Sequence, residues 1–325
     1  MLHSHFHTQK CRTPNEVNTP ECQDEPDCRC QKRFDQLYHA TKVANEVLQA
    51  LYFTVLHILL IFAAYNILNF NMEQIIFGID VGGSAIKGAP VDVVQGEMTA
   101  ERLRILTPKP STPDACIGVM KEILEDFSWK GPVGVGMPGI VKNNVMLSAA
   151  NIDHGWIGLN VREHIAENIG HDVYLCNDAD AAGLCEVEFG IGQGEKGLVM
   201  VITLGTGIGT ALFYRGRLIP NTELGHIYMR NREEGAERFV AESARQRDGI
   251  TWEEYGRRMQ EYLAYLEFLF SPDVFILGGG GAKNFAEFSQ YLRLRTRVVT
   301  AEKLNKAGIV GAALYARHAM EGWGA

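Results

Sequence analysis

The stretch that decides the fold is Ile75–Gly88, IIFGIDVGGSAIKG: an apolar run, a tight glycine turn and a return segment that carries a lysine. It reads as a strand, a hairpin turn and a second strand. Further along, Val199–Phe213, VMVITLGTGIGTALF, repeats the same grammar. Glycine tolerates positive φ and has no side chain in the way, so such turns let backbone amides close on an anion. The first turn, Asp80–Ser84, adds Ser84 and Lys87 as donors, and the second, Leu204–Gly209, adds Thr206. A lone glycine hairpin is most often only a turn. Two of them, each opening a lobe, can grip a phosphate chain from both sides. Neither fits GxxxxGK[ST], and the first leads into a strand rather than a helix, which excludes a dinucleotide fingerprint.

Around these hairpins strands and helices mix. The spacing predicts strands at IIFGIDV, AIKGAPVDV, GPVGVGMPG and DVFILGGGG, helices over Thr112–Phe127 and Trp252–Phe270, and a terminal helix in AGIVGAALYARHA. DVYLCNDADAAGLCEVEFG reads as a strand running into a helix, and GLVMVITLGTGIGTALFYRGRLI as a strand pair or triple. The expected organisation is two α/β lobes: residues 72–189 with a C-terminal helix at 306–325, and residues 190–305.

The chain has 325 residues, 46% of them apolar, enough to bury a substantial core. A formal net charge of −8 disfavours non-specific nucleic-acid binding, so a polyanionic partner must meet a local basic surface. Residues 1–71 differ from the rest. Cys11, Cys22, Cys28 and Cys30 lie there beside His3, His5 and His7, without paired CxxC spacing, in a polar stretch with no evident period. Val47–Leu68 is then an apolar run long enough to span a bilayer. Strand one follows it within a few residues, and Met72 stands where a compact cytosolic domain could start. Residues 1–71 are therefore expected to be an extension, disordered with an apolar helix, outside the catalytic unit; the alternative is a signal anchor. The remaining cysteines, Cys116, Cys176 and Cys185, are scattered, which suits a reducing cytosol.

The ordered series DVGGSAIK, GVGMPG, NDADAAG, LGTGIGTALF, ELGH, ILGGGG and AGIVGAA resembles the ROK (repressor, open reading frame, kinase) sugar kinases of the actin-like ATPase superfamily. More narrowly, TLGTGIGTALFYRGRLIPNTELGH is similar to the polyphosphate-using glucokinases of that family. The resemblance covers Gln74–Ala319. It implies a two-lobed actin-like (ribonuclease H-like) fold with the active site in the interlobe cleft, phosphorylation of the glucose 6-hydroxyl, and Mg2+ as cofactor. Inorganic polyphosphate, ATP or both would be donor. It also implies a cytoplasmic homodimer with no other stable protein partner and no nucleic acid.

Residue by residue, the resemblance makes Asp178 the general base and Asn177, Asn151, Glu223 and His226 sugar ligands. It places Gly82, Gly83, Ser84, Lys87, Gly205, Thr206 and Gly207 on phosphates, Asp80 near the metal, and Gly278, Gly279 and Gly280 on the nucleotide side. For some of them the residues point the same way, although His226 alone would read as a satisfied core histidine and Asp80 as a turn cap. A carboxylate at a strand end lies at a cleft mouth, where phosphoryl transfer needs a proton acceptor. Asp178 could instead cap the following helix, and Asp180 competes with it for the base. A carboxylate and an imidazole a turn apart suit vicinal hydroxyls. The chain departs from the wider family in one respect: no cysteine follows Cys185, so a zinc held by His226 and three thiolates cannot form. The sugar-binding glutamate that follows that zinc cluster elsewhere has Glu233, Glu234 and Glu242 as candidates. For a polyphosphate track, Arg293, Arg295 and Arg297 at period two, and Arg215 with Arg217, are the candidate cations; either run could equally be a solvated edge. A sugar-responsive repressor would need a helix-turn-helix ahead of Ile75, and none is evident.

Overall fold

The structure, a computed structural model, describes residues 29–149, 151–230 and 232–322. The chain divides into one unit ending at Ile67 and a second running from Leu68. A single 46-residue helix, α1 (Arg29–Gln74), occupies the described part before Ile75. The expected apolar helix at Val47–Leu68 is thus only part of a longer one, and the segment from Arg29, expected to lack a period, is helical. The reason is in the sequence: no Gly or Pro interrupts it between Arg29 and Gln74. Its stretch Asp35–Phe62 is long and apolar enough to cross a membrane. The expectations for Cys11, Cys22, Cys28 and the three early histidines lie outside the described residues.

The second unit opens with the expected hairpin. Strand β1 (Ile75–Val81) runs antiparallel to β2 (Ala85–Asp92), with Asp80 opposite Lys87. Two short strands, β3 (Glu97–Met98) and β4 (Leu103–Leu106), both pair with β2. Helix α2 (Pro113–Asp126) starts at Thr112, whose hydroxyl caps it, and has proline at its first position. Strand β5 (Val133–Met137) adds parallel to β1. A small hairpin, β6 (Val141–Lys142) and β7 (Val145–Met146), and helix α3 (Val161–Ile169) precede β8 (Val173–Asn177), which adds parallel to β5. Helix α4 (Asp178–Phe189) follows without a linker. The first sheet is ordered β3-β2-β1-β5-β8, with β4 also on β2.

The second sheet repeats the plan. Strand β9 (Leu198–Leu204) returns as β10 (Ile208–Tyr214) and continues into β11 (Arg217–Ile219). Short helices α5 (Glu237–Val240) and α6 (Glu242–Asp248) and the long α7 (Trp252–Phe270) lead to β12 (Val274–Gly278), parallel to β9. A short α8 (Phe285–Phe288) precedes β13 (Arg297–Thr300), and α9 (Ala307–Met320) ends the fold. The order is β11-β10-β9-β12-β13.

Helices α4 and α9 pack on each other between the two sheets, giving five layers. A core including Ile76, Val91, Val201, Phe213, Ile276, Leu184 and Leu314 binds both sheets to this middle layer. Two outer cores lie under α2 and α3 and under α7. The middle layer can approach so closely because Gly134 and Gly311 lack side chains: a Cβ on either would overlap a backbone carbonyl, that of Ala312 or Ala181. Since β1, β5 and β8 are parallel, as are β9 and β12, their C-terminal ends and both glycine turns gather at one cleft.

That polarity corrects the arginine track. Arg297 pairs with Val274 at the start of β12, the end away from the cleft, while Arg293 and Arg295 precede the strand. Arg297 and Arg295 face Glu195 and Glu267. Arg215 and Arg217 flank the turn after β10, a seven-residue strand, so they lie roughly 20 Å from the Gly205–Gly207 turn. Strand direction, which period-two spacing does not reveal, places both runs at the wrong end.

Candidate functional site

One cavity at the strand ends is lined by Gly82 and Gly83 from the first hairpin and Gly205, Thr206 and Gly207 from the second. Asn151, Asn177, Asp178, Glu223 and His226 share its wall. Five of the seven sequence-predicted phosphate residues thus meet the predicted base and sugar residues, although they come from five separate segments; Ser84 and Lys87 are not in the lining of this cavity. The first turn is closed by Gly82 N donating to Ala85 O (3.0 Å) and held by the Thr107 hydroxyl donating to Gly82 O. Gly83 lies against Asn151: a Cβ there would stand 2.8 Å from the Asn151 carbonyl oxygen. The second turn is held from α6, where Ser243 N donates to Gly205 O at 3.2 Å and its hydroxyl to Thr206 O. Ser84 is exposed at the first turn. Lys87 pairs through Nζ with Asp80 at 2.9 Å.

The strand-to-helix junction organises the acid. Asn177 caps α4, its Oδ1 accepting from Ala179 N (2.8 Å) and Asp180 N (3.1 Å). Its Nδ2 donates to Gly139 O at 3.1 Å and Glu223 Oε1 at 3.4 Å. Asn177 rather than Asp178 is therefore the cap of α4, and it also steadies Glu223. Asp178, freed from that duty, opens onto two cavities, the one above and a neighbour lined by Asp80, Gly278, Gly279 and Gly308. Burial raises the Asp178 carboxyl to about 7, and the negative charges of Asp80 and Glu223 add to the effect, against an opposing bond from Ala179 N. Asp180 is buried and raised to about 7 by burial, but Oδ2 accepts from Asn221 N at 2.8 Å. Asp180 is thus turned into the wall, and Asp178 is the carboxylate that reaches the cavity. Gly279 has φ +76 and lies against Leu204, where a Cβ would approach its carbonyl oxygen to 2.6 Å; among the described residues none comes within 4 Å of a Cβ placed at Gly280.

Sequence reasoning missed one residue. Glu237, at the start of α5, lines the cavity, with Oε1 3.8 Å from His226 Nδ1; Glu223 Oε2 lies 3.7 Å from His226 Nε2. The imidazole therefore stands between two carboxylates. Burial raises the Glu223 pKa, His226 opposes this and Glu237 adds to it. The three glutamates proposed from sequence are placed elsewhere: Glu233 and Glu234 are exposed, and Glu242 is paired with Arg245 at 2.8 Å. The available signal was a glutamate directly after Gly235-Ala236, a short step beyond His226.

Comparison with known proteins fits this geometry. Residues 76–239 match the family model described as ROK family. The chain belongs to the ROK family. This ROK chain is 44% identical over 239 residues to a polyphosphate glucokinase of Mycobacterium tuberculosis (strain CDC 1551 / Oshkosh), covering 73% of this chain and 89% of that protein. Its structure resembles that of an inorganic polyphosphate/ATP-glucomannokinase from Arthrobacter sp. strain KM, with TM-score 0.72 and 43% identity over 76% of this chain and 99% of that one. A ROK family glucokinase from Streptomyces griseus, solved in complex with glucose and AMPPNP, gives TM-score 0.64 and 26% identity, covering 75% and 99%. The ROK chain has the two-lobed actin-like ATPase fold of these sugar kinases.

Proposed function

We propose that the chain transfers a phosphoryl group from inorganic polyphosphate to the 6-hydroxyl of glucose, giving glucose 6-phosphate. One observation carries the reading: a carboxylate base, a sugar-type Glu/His pair and two glycine hairpins line a single cavity. The polyphosphate glucokinase and glucomannokinase likeness supports both acceptor and donor. In this reading Asp178 accepts the 6-hydroxyl proton as the oxygen attacks, while Glu223, His226, Glu237 and Asn151 hold the ring hydroxyls and Asn177 positions Glu223. Amides and side chains at Gly82, Gly83, Ser84, Gly205, Thr206 and Gly207, with Lys87, take the charge on the phosphates.

Mg2+ belongs to the same proposal. Asp80 and Asp178 border one cavity, and Asp80's charge helps raise the Asp178 pKa, so a divalent cation there would relieve their repulsion. Hydrated Mg2+ takes one or two carboxylates plus phosphate oxygens, a donor set that Asp80 and the donor can meet. When bound it would neutralise charge on the donor oxygens. ATP is the second donor in this reading, favoured by Gly278 and Gly279, which border the same cavity as Asp80 and Asp178. The ATP-only ROK glucokinase is the alternative. The Asp178 carboxylate that reaches the cavity favours catalysis over a non-catalytic sugar-binding regulator. The lobes are taken as 72–189 with 306–325, and 190–305, in a cytoplasmic homodimer, with residues 1–71 outside the catalytic unit.

The test is purified full-length chain with glucose, Mg2+ and either long-chain polyphosphate or ATP, glucose 6-phosphate being measured. Turnover with polyphosphate is expected. Turnover with ATP alone would leave the ATP-dependent alternative, and turnover with neither would reject the kinase reading.

A further inference from the structure

With the five expected arginines at the far end of the second sheet, a long polyanion needs its counter-charge elsewhere, and the first sheet provides it. Asp80, Lys87 and Arg104 stand in one row across β1, β2 and β4, because Asp80 is the register partner of Lys87 and Lys87 of Arg104. Register partners share a face of the sheet. That face is the one toward α9: Gly308, in its first turn, lies against the Asp80 carboxylate. Arg102, two residues before Arg104, donates from Nη1 to the Asn305 carbonyl just ahead of α9. In the same segment Lys303 (3.2 Å) and Lys306 (2.7 Å) both pair with Glu97. Arg104 is exposed. The result is a cationic rim that starts at the head of the phosphate cleft and runs outward over the edge of the first sheet.

We propose that the donor's phosphates beyond those in the hairpin grip leave the cleft over this rim, passing Lys87, Arg104 and Arg102 toward Lys306, and that the rim is the chain-length-sensing part of the donor site. This rests on the polyphosphate reading above. A polyphosphate chain carries charge on every unit, so each added cation displaces a condensed counterion, and the gain accumulates along a long chain only. A donor with three phosphates ends near the grip and gathers little of it. The pull is salt-dependent, since the rim is solvent-exposed and the Debye length is about 8 Å at physiological ionic strength.

The experiment compares KM for long-chain polyphosphate with KM for tripolyphosphate in the full-length chain, with thermal melting as the check on folding. Arg102→Ala combined with Arg104→Ala is expected to raise the ratio of long-chain to tripolyphosphate KM about 3–10-fold at low salt and to flatten its salt dependence. Arg104→Glu alone, at an exposed position, is expected to raise the ratio as well and serves if the double variant does not fold. Glu97→Gln, which frees Lys303 and Lys306, is expected to lower it. An unmoved ratio in folded variants of a chain that does use polyphosphate overturns the rim and leaves the donor reading standing. A parallel rise for both donors also overturns it, because the arginines would then serve the shared site. No polyphosphate turnover by the unmutated chain overturns the rim and the donor reading together.

Discussion

At the scale of single residues, the site turns on Asp178, a carboxyl that burial and like charge push to about 7. A base must be ionised to accept a proton. The free enzyme's kcat/KM for glucose is therefore expected to fall about tenfold per unit as pH drops below that value. Asp178→Asn keeps a hydrogen-bonding group but removes the acceptor, so kcat should fall on the order of 10²–10⁴ while glucose binding changes little; a pH–rate profile and a direct glucose titration check both. Near-wild-type turnover in the folded variant would return Asp180 to contention. Asp178 stands out in the sequence as a carboxylate at a strand end, but its role as base and the sugar roles of Glu223 and His226 follow from the motif resemblance, since His226 alone would read as a core histidine. Glu237 was not legible, because its tie to His226 is made by the fold, and the sequence pointed to a glutamate behind a zinc cluster that this chain lacks. Asn177 was legible as a site residue, but its double duty as cap and as support for Glu223 needed the geometry.

At the scale of elements, β1 and α7 match their sequence readings end to end, the first from its apolar run into a glycine turn, the second from helical spacing behind the Thr251 cap. Helix α3 is not evident from the sequence although Val161, Ile165 and Ile169 stand four apart behind the Asn160 cap, since a nine-residue helix offers little periodicity to count. The arginine runs show the other limit: spacing says which side chains share a face but not which end of a strand meets the cleft. The contact between α4 and α9 is the element-level feature most sensitive to change. Gly311→Ala puts a Cβ into the Ala181 carbonyl, backbone that cannot rotate away. Destabilisation of about 1–3 kcal/mol or more is expected, with a lower Tm and lower activity at assay temperature; an unchanged melting curve would show that the helices can separate freely.

At the scale of the whole molecule, every residue proposed for the site follows Met72, and Gln74 is already bound into the first sheet: its Nε2 donates to Asp92 Oδ2 at 2.8 Å, and its carbonyl accepts from Val93 N at 2.9 Å. A chain begun at Met72 retains both bonds and is expected to be soluble and to match the full-length protein in kcat and KM; loss of activity with retained folding would give α1 a catalytic part. The middle layer has a further consequence, for synthesis. Helix α9 covers β1, β5 and β8, strands made long before it, and it reaches them only after every strand of the second sheet has been translated. The amino-terminal sheet therefore leaves the ribosome with the part of that face which α4 does not reach still uncovered, and waits for the other lobe to be finished. The two lobes share a single moment of completion, which makes the growing chain, rather than the finished enzyme, the form that most needs a chaperone.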